Sequence, residues 1–164
     1  MHQVPARDSC EAVFLSQTQG NPTMAQTNED TNISFDPSLL TAVQKHTLTD
    51  KIHEKTLYGN GEACDIWRAS VNSSGYPQMK LGKDIEQITG CHRPINPACL
   101  LYSIENSFVL LKHTDIRLSH LCHQKKCVKL SHIIMEPLAT NSQRQFCAQS
   151  KVCTGHTVYP NCKF

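Results

Sequence analysis

A dense set of cysteines and histidines in the last third of the chain constrains its fold more than any other feature. Five cysteines fall between Ser119 and Cys162. Thiolate sulfur and imidazole nitrogen are the ligands that tetrahedral zinc prefers, and short spacers let one segment wrap around an ion. The patterns C-x4-C-x4-H and C-x5-C-x2-H-x5-C comprise Cys122, Cys127 and His132, then Cys147, Cys153, His156 and Cys162. The spacing predicts two zinc sites, and the first of them needs one more ligand from elsewhere.

The composition explains why a chain like this would use metal ions. Only 39% of its 164 residues are hydrophobic, 6% are aromatic, and Trp67 is the single tryptophan. Residues 1–35 are rich in Gln, Thr, Asn and Ser, which predicts a disordered or loosely packed N-terminal arm. Residues 36–164 are then the folded domain, with a small core that bound metal would stabilise.

The cysteine count bears on the cellular compartment. The chain has nine cysteines, and its opening residues lack the basic start and apolar run of a secretory signal. These features favour reduced, metal-bound thiols in a nuclear or cytoplasmic, non-secreted protein, with a disulfide-stapled secreted domain as the alternative. No apolar stretch approaches the roughly 20 residues of a membrane span, so no membrane contact is predicted.

Charge is distributed unevenly along the chain. Residues 1–111 hold 8 Lys and Arg against 12 Asp and Glu, whereas residues 112–164 hold 8 against 2. A basic surface around the cysteine-rich segment suits a nucleic-acid backbone, although a solvated lysine face is the simpler alternative. The candidate nucleic-acid contacts are Lys125, Lys126, Lys129 and Arg144 near the metal ligands, with Lys80 and Lys83 upstream.

Local patterns place these residues on elements. Apolar spacing predicts a helix from Ser38, as its cap, to the break at Asn60-Gly61, and Asn96-Pro97 predicts the start of another. Asn72–Gly75 predicts the turn of an antiparallel hairpin. The two strands of that hairpin are predicted at Cys64–Val71 and Tyr76–Leu81. A further strand is predicted at Phe108–Lys112, and a last helix at Pro137–Phe146.

Two further residues suggest catalysis. His120 lies just before Cys122, and Asn141 lies downstream of the first cysteine pattern on the predicted last helix. A neutral imidazole can activate water near pH 7, and a carboxamide oxygen can bind Mg2+. One histidine and one metal ion therefore make a minimal phosphodiesterase.

These residues together carry a resemblance to a known family. Ser119-His120-Leu121-Cys122, the rest of both cysteine patterns and Asn141 are similar in order and spacing to the His-Cys box homing endonucleases, which belong to the His-Me finger (ββα-metal) nucleases. The resemblance implies a small α+β, zinc-stabilised ββα-metal fold with an antiparallel β-hairpin or sheet and two structural zinc sites. It also implies that His120 is the general base and that Asn141 holds one catalytic Mg2+.

The resemblance also implies residues that lie upstream. In this family the fourth ligand of the first zinc comes from an upstream cysteine, for which Cys64 is the first choice and Cys91 and Cys99 are the alternatives. An arginine near the scissile phosphate would be Arg93. Lys80 or Lys83 could replace it as point charges.

Two functions follow as hypotheses. The first is a Mg2+-dependent endonuclease that hydrolyses double-stranded DNA, with RNA as the alternative substrate. The second is a non-catalytic zinc module that binds nucleic acid or protein. The chain ends shortly after Cys162, whereas homing relatives can carry a dimer-forming C-terminal tail, so a monomer or weak homodimer is expected. A redox-sensing thiol protein is a more distant third.

Overall fold

The computed structural model describes residues 11–12, 33–112 and 114–164. Most of the predicted N-terminal arm lies outside these residues. Its described parts are two strands, β1 (Glu11–Ala12) and β2 (Ile33–Phe35), and both pair within a larger sheet. The side chain of Phe35 is fully buried in the core. The packed unit therefore begins before residue 36, where the sequence placed its boundary.

The rest of the chain forms a small mixed α/β structure with short antiparallel sheets. Its elements are α1 (Ala42–Glu54), β3 (Thr56–Leu57), β4 (Ile66–Trp67), α2 (Lys83–Thr89), α3 (Pro97–Glu105), β5 (Leu110–Leu111), β6 (Ile116–His120), β7 (Ile133–Pro137) and α4 (Leu138–Ser150). One sheet has the strand order β2-β5-β1-β6-β7, and β3 pairs with β4 in a second. Short 3-10 turns precede α1 and β7, at Pro37–Leu39 and Leu130–His132.

The antiparallel pair β6–β7 carries the part of the sheet that matters for the site. Its register runs from Ile116 opposite Pro137 to His120 opposite Ile133. Because side chains alternate along a strand, Leu118 shares one face with the hydrophobic core, while Arg117 and Ser119 share the other. Helix α4 packs against both strands on this second, polar face.

Helix α1 begins later than the sequence predicted. Thr41, and not Ser38, is its N-cap, and Thr41 and Gln44 form a reciprocal capping box. Residues 37–39 form a separate turn, in which Asp36 accepts a hydrogen bond from the Ser38 amide at 2.8 Å. Leu48 and Ile52 are fully buried as the periodicity requires.

The predicted hairpin exists as a turn but not as a pair of long strands. The Gly75 amide donates to the Asn72 carbonyl at 3.0 Å, and Val71 bridges Pro77. Beyond this turn, however, β4 pairs with β3, and Met79 pairs with Ile95. The first predicted strand thus pairs with the segment just before it, and the second pairs with a residue that follows α2.

Two other predictions concern the middle of the chain. Asn96 caps α3 by accepting from the Ala98 amide at 2.9 Å, which confirms the predicted start of this helix. Helix α2 was not predicted, since Ile85 is its one buried residue. None of the helices that the structure describes combines the length and the apolar character of a membrane span.

Candidate functional site

The first cluster of potential metal ligands brings together four residues that are distant in sequence. They are Cys64, Cys122, Cys127 and His132, and their ligand atoms all lie within 4.8 Å of one another. Nδ1 of His132 lies 3.6 Å from Sγ of Cys64 and 3.6 Å from Sγ of Cys127. The structure thus joins Cys64 to the C-x4-C-x4-H pattern. Cys91 lies outside this cluster, and Cys99 is disulfide-bonded, in contrast to the reduced thiols expected from the sequence.

The donor set and its spacing fit zinc. With Zn–S of about 2.3 Å and Zn–N of about 2.0 Å, tetrahedral angles place sulfur and nitrogen ligands about 3.5 Å apart. The thiols also need a cation in order to ionise together. Burial raises the pKa of Cys64, and the neighbouring Cys122 sulfur, followed by burial, raises the pKa of Cys127. A divalent ion would offset both effects.

Backbone pairing holds this cluster in shape. The Trp67 amide donates to the Lys126 carbonyl at 2.9 Å, and the Val128 amide donates to the Asp65 carbonyl at 2.8 Å. The loop that carries Cys122 and Cys127 therefore runs antiparallel alongside β4, directly after Cys64. The Lys129 ammonium donates to the carbonyls of Gly61 and Ala63, so this lysine closes the loop before Cys64.

A close backbone approach at Gly59 yields a stability prediction. A Cβ atom at this position would lie 2.6 Å from the Cys64 carbonyl oxygen and 2.8 Å from Cβ of Ala63. Gly59→Ala should therefore displace the backbone at Cys64 and lower the free energy of unfolding by about 1–3 kcal/mol. Denaturant unfolding of the zinc-loaded protein measures this, with Gly75→Ala as a control, since its Cβ would meet nothing within 4 Å. Equal losses for the two variants would contradict the steric explanation, because Gly75 has a positive φ and would show backbone strain alone.

The second cluster is built from α4 and the segment that follows it. Cys147 lies on α4 and joins Cys153, His156 and Cys162, again with all ligand atoms within 4.8 Å. Nε2 of His156 lies 3.6 Å from Sγ of Cys147 and 3.3 Å from Sγ of Cys162. Burial raises the pKa of the Cys162 thiol to about 11. This Cys3His set also fits a tetrahedral zinc ion.

Arg144 does not occupy the surface that the sequence assigned to it. Its side chain is buried, and Nε donates to both carboxylate oxygens of Glu136 at 2.8 and 2.9 Å. Nη2 donates to the Pro160 carbonyl at 2.9 Å, and Nη1 lies 3.5 Å from Sγ of Cys162. A guanidinium committed in this way is not available to a nucleic-acid phosphate. Composition alone could not reveal this, because the counter-ion lies on β7.

His120, the predicted general base, is the last residue of β6. Its Nε2 lies 2.9 Å from the carbonyl oxygen of Cys127. A carbonyl only accepts, so Nε2 must carry the proton and Nδ1 must be the basic nitrogen. Among the described residues, none donates a hydrogen bond to this Nδ1. Burial lowers the pKa of His120, which favours the neutral imidazole.

Asn141, the predicted Mg2+ ligand, meets β6 next to His120. Its Nδ2 donates a hydrogen bond to Oγ of Ser119, which is buried on the face that α4 covers. Because the amide nitrogen is engaged, the carboxamide oxygen Oδ1 remains as the acceptor. Asn141 therefore contacts the strand residue next to His120, and because side chains alternate along β6, Ser119 and His120 point to opposite faces of this strand.

The remaining predicted site residues lie on the surface. Arg93 is exposed in the segment between α2 and α3, and its guanidinium has no hydrogen bond or ion pair with any described residue. Lys80, Lys83 and Lys126 are also exposed. Lys125 is held in place, because its ammonium donates to the Ser74 carbonyl at 3.0 Å and lies 4.9 Å from the centre of the Tyr76 ring.

Sequence reasoning missed three residues around the clusters. Ser119 contacts Asn141, Glu136 pairs with Arg144, and Glu62 lies near His132, with 3.9 Å between a carboxylate oxygen and Nε2. Glu62 also pairs with Lys163 at 2.9 Å, next in sequence to the ligand Cys162. A signal existed for Glu136, which is one of two acidic residues after position 111 and lies in an apolar stretch.

Comparison with known proteins agrees with this geometry. Residues 64–164, more than half of the chain, match the family model of the zinc-binding loop region of homing endonuclease. The matched range begins at the upstream cysteine of the first cluster and includes every ligand of both. Searches of curated proteins and of solved structures gave no significant match. The two clusters and the matched range lead to one conclusion: this chain belongs to the zinc-binding loop family of the homing endonucleases.

Proposed function

We propose that the protein is a Mg2+-dependent endonuclease that hydrolyses phosphodiester bonds of double-stranded DNA, with a ββα-metal unit formed by β6, β7 and α4. One observation carries the proposal most directly. The hydrogen bond between Nε2 of His120 and the Cys127 carbonyl fixes the tautomer in which Nδ1 accepts a proton. Cys127, a residue of the proposed zinc-binding loop, would thereby orient the imidazole of His120, so the zinc site would support the general base.

In this proposal each residue has a separate role. Nδ1 of His120 takes a proton from water, and the oxygen attacks phosphorus in line with the 3′ oxygen. The P–O3′ bond breaks, the 3′ oxygen takes a proton from solvent, and the ends carry a 5′ phosphate and a 3′ hydroxyl. Oδ1 of Asn141 is a hard oxygen donor of the kind Mg2+ accepts. The ion would stabilise charge on the leaving oxygen and the phosphate.

Binding would rest on the backbone of the nucleic acid. Lys80, Lys83, Lys125 and Lys126 are exposed, and Lys129 is half-buried with its ammonium donating to two loop carbonyls. These lysines offer point charges for phosphates, which gives affinity without strong base readout. Arg93 would be the arginine nearest the scissile phosphate, and RNA is the alternative substrate. A monomer or weak homodimer in the nucleus or cytoplasm belongs to the same proposal.

The test is cleavage of supercoiled plasmid by zinc-loaded protein with Mg2+. His120→Ala and Asn141→Ala should each lower the rate by at least about 100-fold, since each removes a group that acts in the transition state. His46→Ala is the matched control, because His46 is an exposed histidine on α1. His120→Ala and Asn141→Ala should both retain two zinc ions per chain. Cleavage that survives in His120→Ala would exclude His120 as the general base. In a separate assay, DNA ligase should join the products only if their ends carry a 5′ phosphate and a 3′ hydroxyl.

One observation favours the second candidate, a zinc module without activity. Arg144, three residues from Asn141 on α4, is buried in an ion pair with Glu136, and Arg93 has no contact with His120 or Asn141 among the described residues. A nuclease without an arginine at the scissile phosphate would lose charge stabilisation. If folded, zinc-loaded wild type shifts DNA or RNA in a gel but cleaves neither with Mg2+, the binding module replaces the nuclease proposal.

A further inference from the structure

Helix α4 carries residues of two different sites on one face. Asn141 precedes Arg144 by three residues, and Arg144 precedes Cys147 by three residues. Residues three or four apart on a helix lie on the same side, so all three project toward β6, β7 and the segment after α4. Arg144 and Cys147 are the buried residues of this helix. Any rotation of α4 about its axis would move these side chains together.

Arg144 is the residue that fixes this face. Its guanidinium forms an ion pair with Glu136 in which Nε donates to Oε1 and Nη2 lies 2.8 Å from Oε2. The exposed fractions of the two side chains are 3% and 0%, so this ion pair is fully enclosed. The same guanidinium donates to the Pro160 carbonyl and points Nη1 at Sγ of Cys162, a ligand of the second cluster. One side chain thus connects α4, β7 and that cluster.

We propose that Arg144 is a positioning residue that couples the second metal cluster to Asn141. Its Nη1 donor stabilises Cys162 as a metal-bound sulfur, and its grip on Glu136 sets the rotation of α4 that brings Asn141 to Ser119. The contact between Arg144 and Cys162 depends only on the second cluster. The coupling to Asn141 rests on the proposed function, because it assigns Asn141 to a divalent cation.

Two physical arguments separate this role from simple stabilisation. A buried ion pair that only contributes stability can be replaced by apolar residues of similar volume without loss. A hydrogen bond to a metal-bound thiolate, in contrast, withdraws charge from sulfur and slows release of the ion, and no apolar residue can replace it. The double variant Glu136→Leu/Arg144→Met therefore removes both charges together, keeps the volume and deletes the donors to Cys162 and to the Pro160 carbonyl.

The first experiment measures release of zinc from the folded protein to a chromogenic chelator. The double variant should bind two ions, as wild type does, but release one of them at least about 10-fold faster. With cobalt in place of zinc, its thiolate-to-metal charge-transfer band should move to lower energy, because sulfur without the donor gives up an electron more easily. Gln145→Met, the neighbouring exposed position on α4, should match wild type. Wild-type release and an unchanged band in the double variant would overturn the proposal.

A measurement on wild type covers the case in which the double variant does not fold. Protein loaded with 113Cd and labelled with 15N-arginine should show a correlation between one cadmium signal and the Nη protons of Arg144. Such a coupling arises only through an N–H···S–Cd path. A resolved Arg144 Nη resonance without it would overturn the proposal.

The second experiment tests the coupling to Asn141 by a titration with Mn2+ followed by EPR. Wild type should bind one Mn2+ that Asn141→Ala does not bind, and the double variant should bind it at least about 10-fold more weakly, as for a lost outer hydrogen bond. Equal Mn2+ affinity in wild type and the double variant would refute the coupling. If wild type binds no more Mn2+ than Asn141→Ala, the proposed function has failed, and the zinc-release result decides the role of Arg144 at the cluster alone.

Discussion

Cys127→Ala is expected to abolish cooperative folding of the protein, as is removal of zinc by a strong chelator. The sulfur of Cys127 is completely buried in the first cluster, whose other three ligands come from two separate parts of the chain. Structural zinc contributes about 10 kcal/mol or more in small zinc domains, whereas a whole domain has only about 5–15 kcal/mol of stability. Loss of one ligand should therefore leave too little free energy to hold β4 and the metal loop together.

Chemical unfolding followed by circular dichroism, with zinc content measured on the same samples, checks this result. Cys91→Ala is the matched control, because Cys91 is a buried free thiol in the core that belongs to neither cluster. It should keep two zinc ions and lose only about 1 kcal/mol. An unfolding midpoint for metal-free wild type equal to that of the zinc-loaded protein would contradict the structural role of the ions.

Arg144→Met alone is expected to lower the free energy of unfolding by about 3–5 kcal/mol, because it removes the guanidinium that pairs with the enclosed Glu136 carboxylate. Glu136 is 1% exposed, so water cannot take the place of the guanidinium. Adding Glu136→Leu should recover most of that loss, since the double variant buries neither charge of this ion pair. The hydrogen bond to the Pro160 carbonyl is still missing in the double variant, which limits the recovery.

Denaturant unfolding of wild type, both single variants and the double variant gives the coupling energy of this pair. Gln145→Met serves as the control for introducing methionine on α4. A double variant as unstable as Arg144→Met would show that the cost comes from the lost contacts of the guanidinium and not from an unpaired carboxylate.

The metal ligands could be predicted because their pattern is local. Seven of the eight lie between Cys122 and Cys162, and their spacing alone sorts them into the two groups that the structure forms. Cys64 needed the family resemblance, because nothing in its own surroundings distinguishes it from Cys91 or Cys99. What separates these cysteines is the pairing of β4 with residues 126–128, which is a long-range contact.

The errors in the fold prediction have three different causes. Leu39 and Leu40 extend the apolar spacing upstream of α1, so the spacing favoured Ser38 over the true cap at Thr41. The hairpin prediction paired Cys64–Val71 with the segment that follows it, whereas Ile66 and Trp67 pair with β3, which precedes them. Arg144 was assigned to the surface because a sequence shows charge but not the partner that buries it.

The first cluster also has a consequence for the order in which the chain folds. Cys122, Cys127 and His132 are close neighbours in sequence and can bind an ion as soon as their loop forms. Cys64, in contrast, is separated from Cys122 by a long stretch that includes α2, α3, β5 and β6. Bringing the two ends of such a loop together costs about 4 kcal/mol of chain entropy, by analogy with the loops that disulfides close. We therefore expect the three local ligands to bind the ion first, with one coordination position open. On this expectation the ion connects the two halves of the chain only when Cys64 binds, and docking of β4 follows metal binding by the loop.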